Sequence, residues 1–203
     1  MRTFSEEHYN ETKQSILNAA LSISAIEGFE GLTITKIAQR LNITKPALYH
    51  YFKNKNDILI QLTLQYLDRA IKEIDTILHH GSYTYQEKLQ QLLEYYIIQG
   101  KLDPGYFYLE HHITNLLELL PSSPEKEQIK KKSAMIPEII MGFIQTGIQA
   151  GEFIQMDPMT LGTLILSMLS GVLLHSNMPG IQNMPPETLS RMVSHIILKG
   201  VQS

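Results

Sequence analysis

Thr33, Thr35, Lys36, Thr44, Lys45, Tyr49, His50 and Lys55 lie in one stretch, GLTITKIAQRLNITKPALYHYFKNKN, that contains no Asp or Glu. Short hydroxyls, ammonium groups and phenols are hydrogen-bond donors, and the stretch offers no carboxylate to repel an anion. That chemistry suits a row of phosphates: Lys attracts, and Thr, Tyr and backbone N–H groups donate. It does not suit catalysis. No Ser-His-Asp order, phosphate-cradling Gly loop or carboxylate pair stands out along the chain. The absence of Cys removes thiolate chemistry, disulfides and Cys-ligated zinc. An enzyme acting on a small apolar substrate is the competing class.

The charge is divided in the same sense. Residues 1–56 hold seven Lys or Arg and five Asp or Glu, whereas residues 57–203 hold ten and fifteen, within a chain of net charge −3. A mildly basic piece on an acidic body points to a polyanion partner for the first part only. With 43% apolar and 18% charged residues the composition is globular. At 203 residues the chain can bury a substantial core. The N-terminus lacks the apolar segment of a secretory signal. The apolar run near residues 161–174 is broken by Gly and Ser and is too short to span a bilayer. The chain is therefore expected in the cytoplasm.

The elements that must position these donors are helices, and no strand pattern occurs. Ile16, Leu17, Ala20, Leu21, Ile23 and Ala25 recur at helical spacing, with Gly28 as a stop. Thr33 predicts an N-cap for a helix ending near Leu41, with Ile34, Ile37, Ala38 and Leu41 inward. Asn42 tolerates the left-handed conformation of a tight turn. Thr44 predicts a second cap, Pro46 suits the first turn, and the short helix carries on through Tyr51. Asn54 or Asn56 can cap a long helix over 57–79. Further helices are expected over 85–99, 106–120, 124–150, 158–176 and 186–199, with Pro137 bending the longest. The fold class is all-α: three short helices, residues 1–56, followed by a larger helical bundle, residues 57–203.

Two capped helices joined through LNIT make a helix-turn-helix, whose second helix can enter the major groove of DNA. A plain helical hairpin with a solvated polar face would show the same local pattern.

The order Gly28-Phe29, Thr33, Ile37-Ala38, Leu41, Ile43-Thr44, Leu48-Tyr49, Tyr51-Phe52, Lys55 and Leu59 resembles the DNA-binding domain of the TetR family of transcriptional repressors. The match runs over roughly residues 10–60. The resemblance implies that Thr33, Thr35 and Lys36 approach phosphate from the helix before the turn. It places Thr44, Lys45, Pro46, Ala47, Tyr49 and His50 on the recognition helix, and it makes Lys55 a phosphate clamp. Leu48 and Phe52 fall at packing positions. The chain departs from the pattern at Asn42, where Gly is usual, and at Pro46 and Ala47, where Gly and Ser or Thr are common. Tyr51 stands where His is frequent.

The resemblance also implies a homodimer on a palindromic operator, whose half-sites lie about 34 Å apart, and a small-molecule effector that releases the repressor. The 158–176 helix is apolar on nearly every face and is expected to be buried all round. With the 186–199 helix it would supply an interface of Leu166, Leu169, Leu173, Leu189, Met192, Val193, Ile196 and Ile197. Tyr66, Tyr96, Phe107, Tyr108, His111, Met135, Ile139, Phe143 and Met168 are expected to line a pocket for a largely apolar effector. Such residues are also ordinary core at helical spacing. His79-His80 and His111-His112 raise the alternative of a metal-sensing repressor. Neighbours on a helix point about 100° apart, however, and rarely share an ion. No cofactor is expected.

Overall fold

The computed structural model describes residues 3–202, with side chains from Glu6 onward. They form ten helices: α1 (Thr3–Gly31), α2 (Ile34–Leu41), α3 (Lys45–Tyr49), α4 (Lys55–Leu78), α5 (Tyr85–Leu102), α6 (Pro104–His111), α7 (Ile113–Leu119), α8 (Pro124–Gln149), α9 (Pro158–Leu174) and α10 (Pro186–Val201). Among the described residues the only extended pairing is an isolated bridge between Phe153 and Gln202. None of the described helices is long and apolar enough to cross a membrane.

The chain divides into two compact units. The first is Met1–Leu67 with Gly105–Lys131, and the second is Asp68–Pro104 with Lys132–Ser203. This division by packing differs from the expected boundary after residue 56. The first turns of α4 belong with the helix-turn-helix, and so do α6 and α7.

In the first unit, α1 buries Ile16, Leu17, Ala20, Leu21 and Ile23. Its regular course ends at Gly28, whose φ of 74° and ψ of 169° lie in a region open essentially to glycine alone. A helical turn then finishes at Gly31. The caps follow the sequence closely. Thr33 Oγ1 accepts from the N–H of Lys36 at 3.2 Å, and Thr44 Oγ1 from that of Ala47 at 3.2 Å. Asn42 sits at φ 52°, ψ 41°. The N–H of Ile43 reaches Ala38 O at 3.0 Å and that of Asn42 reaches Gln39 O at 3.2 Å, which closes α2 with the paired bonds of a left-handed C-terminal turn. Asn54 Oδ1 accepts from the N–H of Asp57 at 2.9 Å and caps α4. Ile58, Leu59 and Leu62 carry α4 into the core.

Two expectations need correction here. The recognition helix α3 ends at Tyr49, and residues 50–51 close it as a tightened turn. The expected helix over 106–120 is two helices. His112, at φ −117°, ψ 14°, interrupts it without Gly or Pro.

In the second unit, α5 starts with a capping box: Thr84 Oγ1 accepts from the N–H of Glu87 while the Glu87 carboxylate accepts from the N–H of Thr84. α10 packs along α5, which also meets α9. Gly100 makes the second contact possible, since a Cβ there would lie 2.3 Å from Leu173 Cδ1. α8 continues through Pro137 to Gln149, and Gly151, at φ 75°, turns the chain just beyond it. Within the chain itself the 158–176 helix, expected to be buried all round, is covered on one side only. α9 buries Leu161, Ile165, Leu169 and Leu173 on one side and exposes Leu164, Leu166 and Met168 on the other.

Candidate nucleic-acid interface

The helix-turn-helix presents a sorted set of side chains. Leu48 and Phe52 are fully buried and hold α3 against the unit. Thr33, Thr44, Lys45, Pro46, Tyr49 and His50 are exposed, and Thr35 and Ala47 are half-buried. Tyr49, with 53% of its surface open, is among the most exposed large side chains of this unit. The two cap threonines use an oxygen lone pair on their own helices, and each hydroxyl keeps its proton to donate.

The two remaining cations are engaged elsewhere. Lys55 donates from Nζ to the carbonyl oxygen of Phe29 at 3.1 Å. Lys36 pairs with the Glu27 carboxylate and also donates to the carbonyl of Gly31 at 2.9 Å. Both ammonium groups thus sit at the C-terminal end of α1, where unpaired carbonyls and the helix dipole favour positive charge. The pairing with Lys36 also neutralises Glu27, an acid close to this surface in sequence.

The sequence reasoning missed how the edge of the surface is built. Tyr9 stacks on Tyr51 with ring centroids 4.8 Å apart and planes at 29°. Lys13 Nζ lies 5.7 Å from the centre of the Phe52 ring. Tyr51, which departs from the family pattern, thereby has a partner on α1. Lys53 and Arg40 are exposed cations on this unit that were not singled out. Their type was the available signal. For Tyr9 no local signal existed.

The expected effector residues fall in both units. In the first, Tyr66 stacks on Tyr106 at 5.6 Å and Phe107 lies against His111 at 4.0 Å. Tyr108 meets Phe29 edge-on at 5.2 Å and stacks on His112 at 4.1 Å. In the second, Tyr96 Oη approaches Ser170 Oγ at 3.4 Å. Met135 is exposed and Ile139 half-buried. Phe143 is core, packed among Tyr85 and Phe153, each with its ring centre 5.8 Å away. Met168 lies on the exposed side of α9 with 53% of its surface open, so it faces away from the interior of its own unit.

The expected interface residues also separate. Of the residues expected at the dimer interface, Leu169, Leu173, Leu189, Val193 and Ile197 are buried within the chain's own core. Leu166, Met192 and Ile196 are exposed.

The histidines are used locally. The Nδ1–H of His79 donates to Asp75 O at 3.0 Å, that of His111 to Phe107 O at 3.0 Å and that of His112 to Tyr108 O at 2.8 Å. Among the described residues no three His, Asp or Glu side chains converge as a metal site would require.

Comparison with known proteins agrees with this geometry. The family described as "Bacterial regulatory proteins, tetR family" matches residues 16–62. The fatty acid metabolism regulator protein of Bacillus subtilis is 30% identical over 138 residues, which cover 68% of each chain. Among solved structures, the transcriptional regulator FadR from Bacillus subtilis in complex with stearoyl-CoA aligns at 25% identity with a TM-score of 0.68, over 93% of this chain and 99% of that one. The ketosteroid transcriptional regulator KstR2 of Mycobacterium tuberculosis aligns at 19% identity with a TM-score of 0.81, over 95% of both chains.

Proposed function

The chain belongs to the TetR family of DNA-binding transcriptional regulators, and from that premise we propose that it is a homodimeric repressor released from a palindromic operator by a fatty acyl thioester of coenzyme A. The observation that carries the reading is the exposed α3 surface. Lys45, Tyr49 and His50 project from a short helix capped by Thr44, within a stretch, residues 31–56, that contains no Asp or Glu. Phosphate contacts from such donors fix the register, and base-edge contacts from the same helix specify sequence.

The effector class rests on the relatives. The 138-residue alignment with the Bacillus subtilis regulator is far longer than the helix-turn-helix and so reaches into the effector region. FadR was solved with stearoyl-CoA bound. The aromatic and aliphatic side chains of α4 and α6 suit an acyl chain. Dimerisation through the outer sides of α9 and α10 would bury Leu166, Met168, Met192 and Ile196, which are otherwise open to water.

The test uses duplexes selected from a random-sequence pool by the purified chain. A selected duplex should be palindromic, and stearoyl-CoA should displace the protein from it while coenzyme A alone should not. Failure to select any duplex sinks the DNA assignment, and indifference to stearoyl-CoA sinks the effector class.

A further inference from the structure

α1 begins well before the residues that match the family, at Thr3 against Ile16. This leading part lies against the end of the helix-turn-helix. Tyr9 covers Tyr51, Lys13 lies over the Phe52 ring, and Gln14 Oε1 accepts from Gln65 Nε2 of α4 at 2.9 Å. Tyr9 is 41% exposed, so it is no core residue, yet its ring stacks on that of Tyr51.

The neighbour matters. Tyr51 follows Tyr49 and His50, the exposed donors at the end of α3, and precedes Phe52, the buried anchor of that end. α3 has five residues, too few to hold its own direction. Its first turn is fixed by the Thr44 cap and its inner side by Leu48. Its last turn is held by Phe52 from within and by the Tyr9–Tyr51 stack from without. We propose that Tyr9 is a positioning residue for DNA recognition: its ring, stacked on Tyr51, fixes the aim of Tyr49 and His50 at the duplex.

The inference rests on the DNA-binding reading and on nothing about the effector. It implies that the ring, and not the hydroxyl, is what counts. It also implies that the loss shows on a specific sequence more than on DNA at large, because non-specific binding depends on charge and not on exact aim.

The experiment measures the affinity of the full-length chain for two duplexes, by fluorescence anisotropy at one salt concentration. One duplex is selected from a random pool by the wild-type chain and the other has an unrelated sequence. Tyr9→Ala should weaken binding to the selected duplex by roughly two- to tenfold, the span that one aromatic pair accounts for. It should leave the unrelated duplex unchanged. Tyr9→Phe should bind both as the wild type does, and Tyr51→Ala combined with Tyr9→Ala should lose little more than either change alone. Unchanged affinity of Tyr9→Ala for the selected duplex overturns the inference. So does an equal loss on both duplexes, which makes Tyr9 a general contact. A Tyr9→Phe loss as large as that of Ala overturns it too, because the hydroxyl would then be the active part. If the wild type selects no duplex, the DNA assignment itself falls and the inference with it.

Discussion

Lys55 Nζ donates to the carbonyl oxygen of Phe29 at 3.1 Å, so the cation at the start of α4 closes the end of α1, 26 residues earlier. The bond spans the helix-turn-helix that lies between them in the chain. Lys55→Ala should therefore act first on stability. A hydrogen bond to a charged group contributes about 1.5–3 kcal/mol, and the half-buried position puts the expected loss near the lower figure. Urea unfolding of the variant measures it. An unchanged midpoint would show that the bond does not hold the head together.

Lys45 should behave in the opposite way. It is exposed at the start of α3 and caps no other helix in the way Lys55 does. Lys45→Ala should leave the unfolding midpoint in place, weaken binding to all duplexes and reduce the slope of log affinity against log salt by about 1. Lys55→Ala should change that slope less than Lys45→Ala does. Salt titrations of both variants on one duplex make the comparison, and the reverse order would return Lys55 to the role of phosphate clamp.

Gly28→Ala should cost about 1–3 kcal/mol of stability through backbone strain. The glycine holds φ 74°, ψ 169°, while an added Cβ would meet only Tyr108 Oη at 3.5 Å, an ordinary contact. Strain rather than collision thus sets the cost. Equal stability of the variant in urea would mean that α1 can end another way.

Charges placed on α9 and α10 should separate two effects. Ile196 and Met192 are exposed by 68% and 51%, whereas Val193 is buried. Ile196→Asp and Met192→Asp should give folded monomers by sedimentation and circular dichroism. Val193→Asp should unfold the chain, since it buries an unpaired charge. A folded dimer after Ile196→Asp would place the interface elsewhere.

Asp157 caps α9, accepting from the N–H of Thr160 at 2.8 Å and from its hydroxyl at 2.9 Å. The backbone bond, helped by the hydroxyl, lowers its pKa below the ordinary 3.8. A lowered folded value means that the cap contributes its full stability above pH 3.8 and loses it as pH falls through the folded pKa. Asp157→Asn should flatten the acid limb of a stability profile measured by urea unfolding between pH 5 and pH 2, roughly the range over which a carboxylate titrates. An identical limb would show that other carboxylates dominate it.

The head was legible because its signals are local. Thr33, Asn42, Thr44 and Asn54 each act within three to five residues of themselves, so their types and spacing suffice. The break at His112 has no Gly or Pro to announce it. The inward side of α9 was hidden for a different reason. With Leu, Ile or Met all round, periodicity singles out no face, and the inward side is marked instead by contacts with other helices, such as that of Leu173 with Gly100. On α10 the apolar stripe was real, but its buried members Leu189, Val193 and Ile197 belong to the chain's own core. The resemblance implies phosphate contacts for Lys36 and Lys55, and both also hold carbonyl oxygens at the end of α1. The partner of Lys55, 26 residues away, is set by the approach of separate helices, which no local pattern encodes. The same holds for Tyr9 and Tyr51, which lie far apart in the chain.

The Thr44 cap and the buried Leu48 and Phe52 have a consequence for the thermodynamics of association. A five-residue helix in water would be mostly coil. Here it is already ordered before any duplex arrives, so binding carries little conformational entropy cost on the protein side. The heat-capacity change on binding should then match the surface buried at the contact, without the excess that accompanies coupled folding. The head meets DNA as a finished wedge.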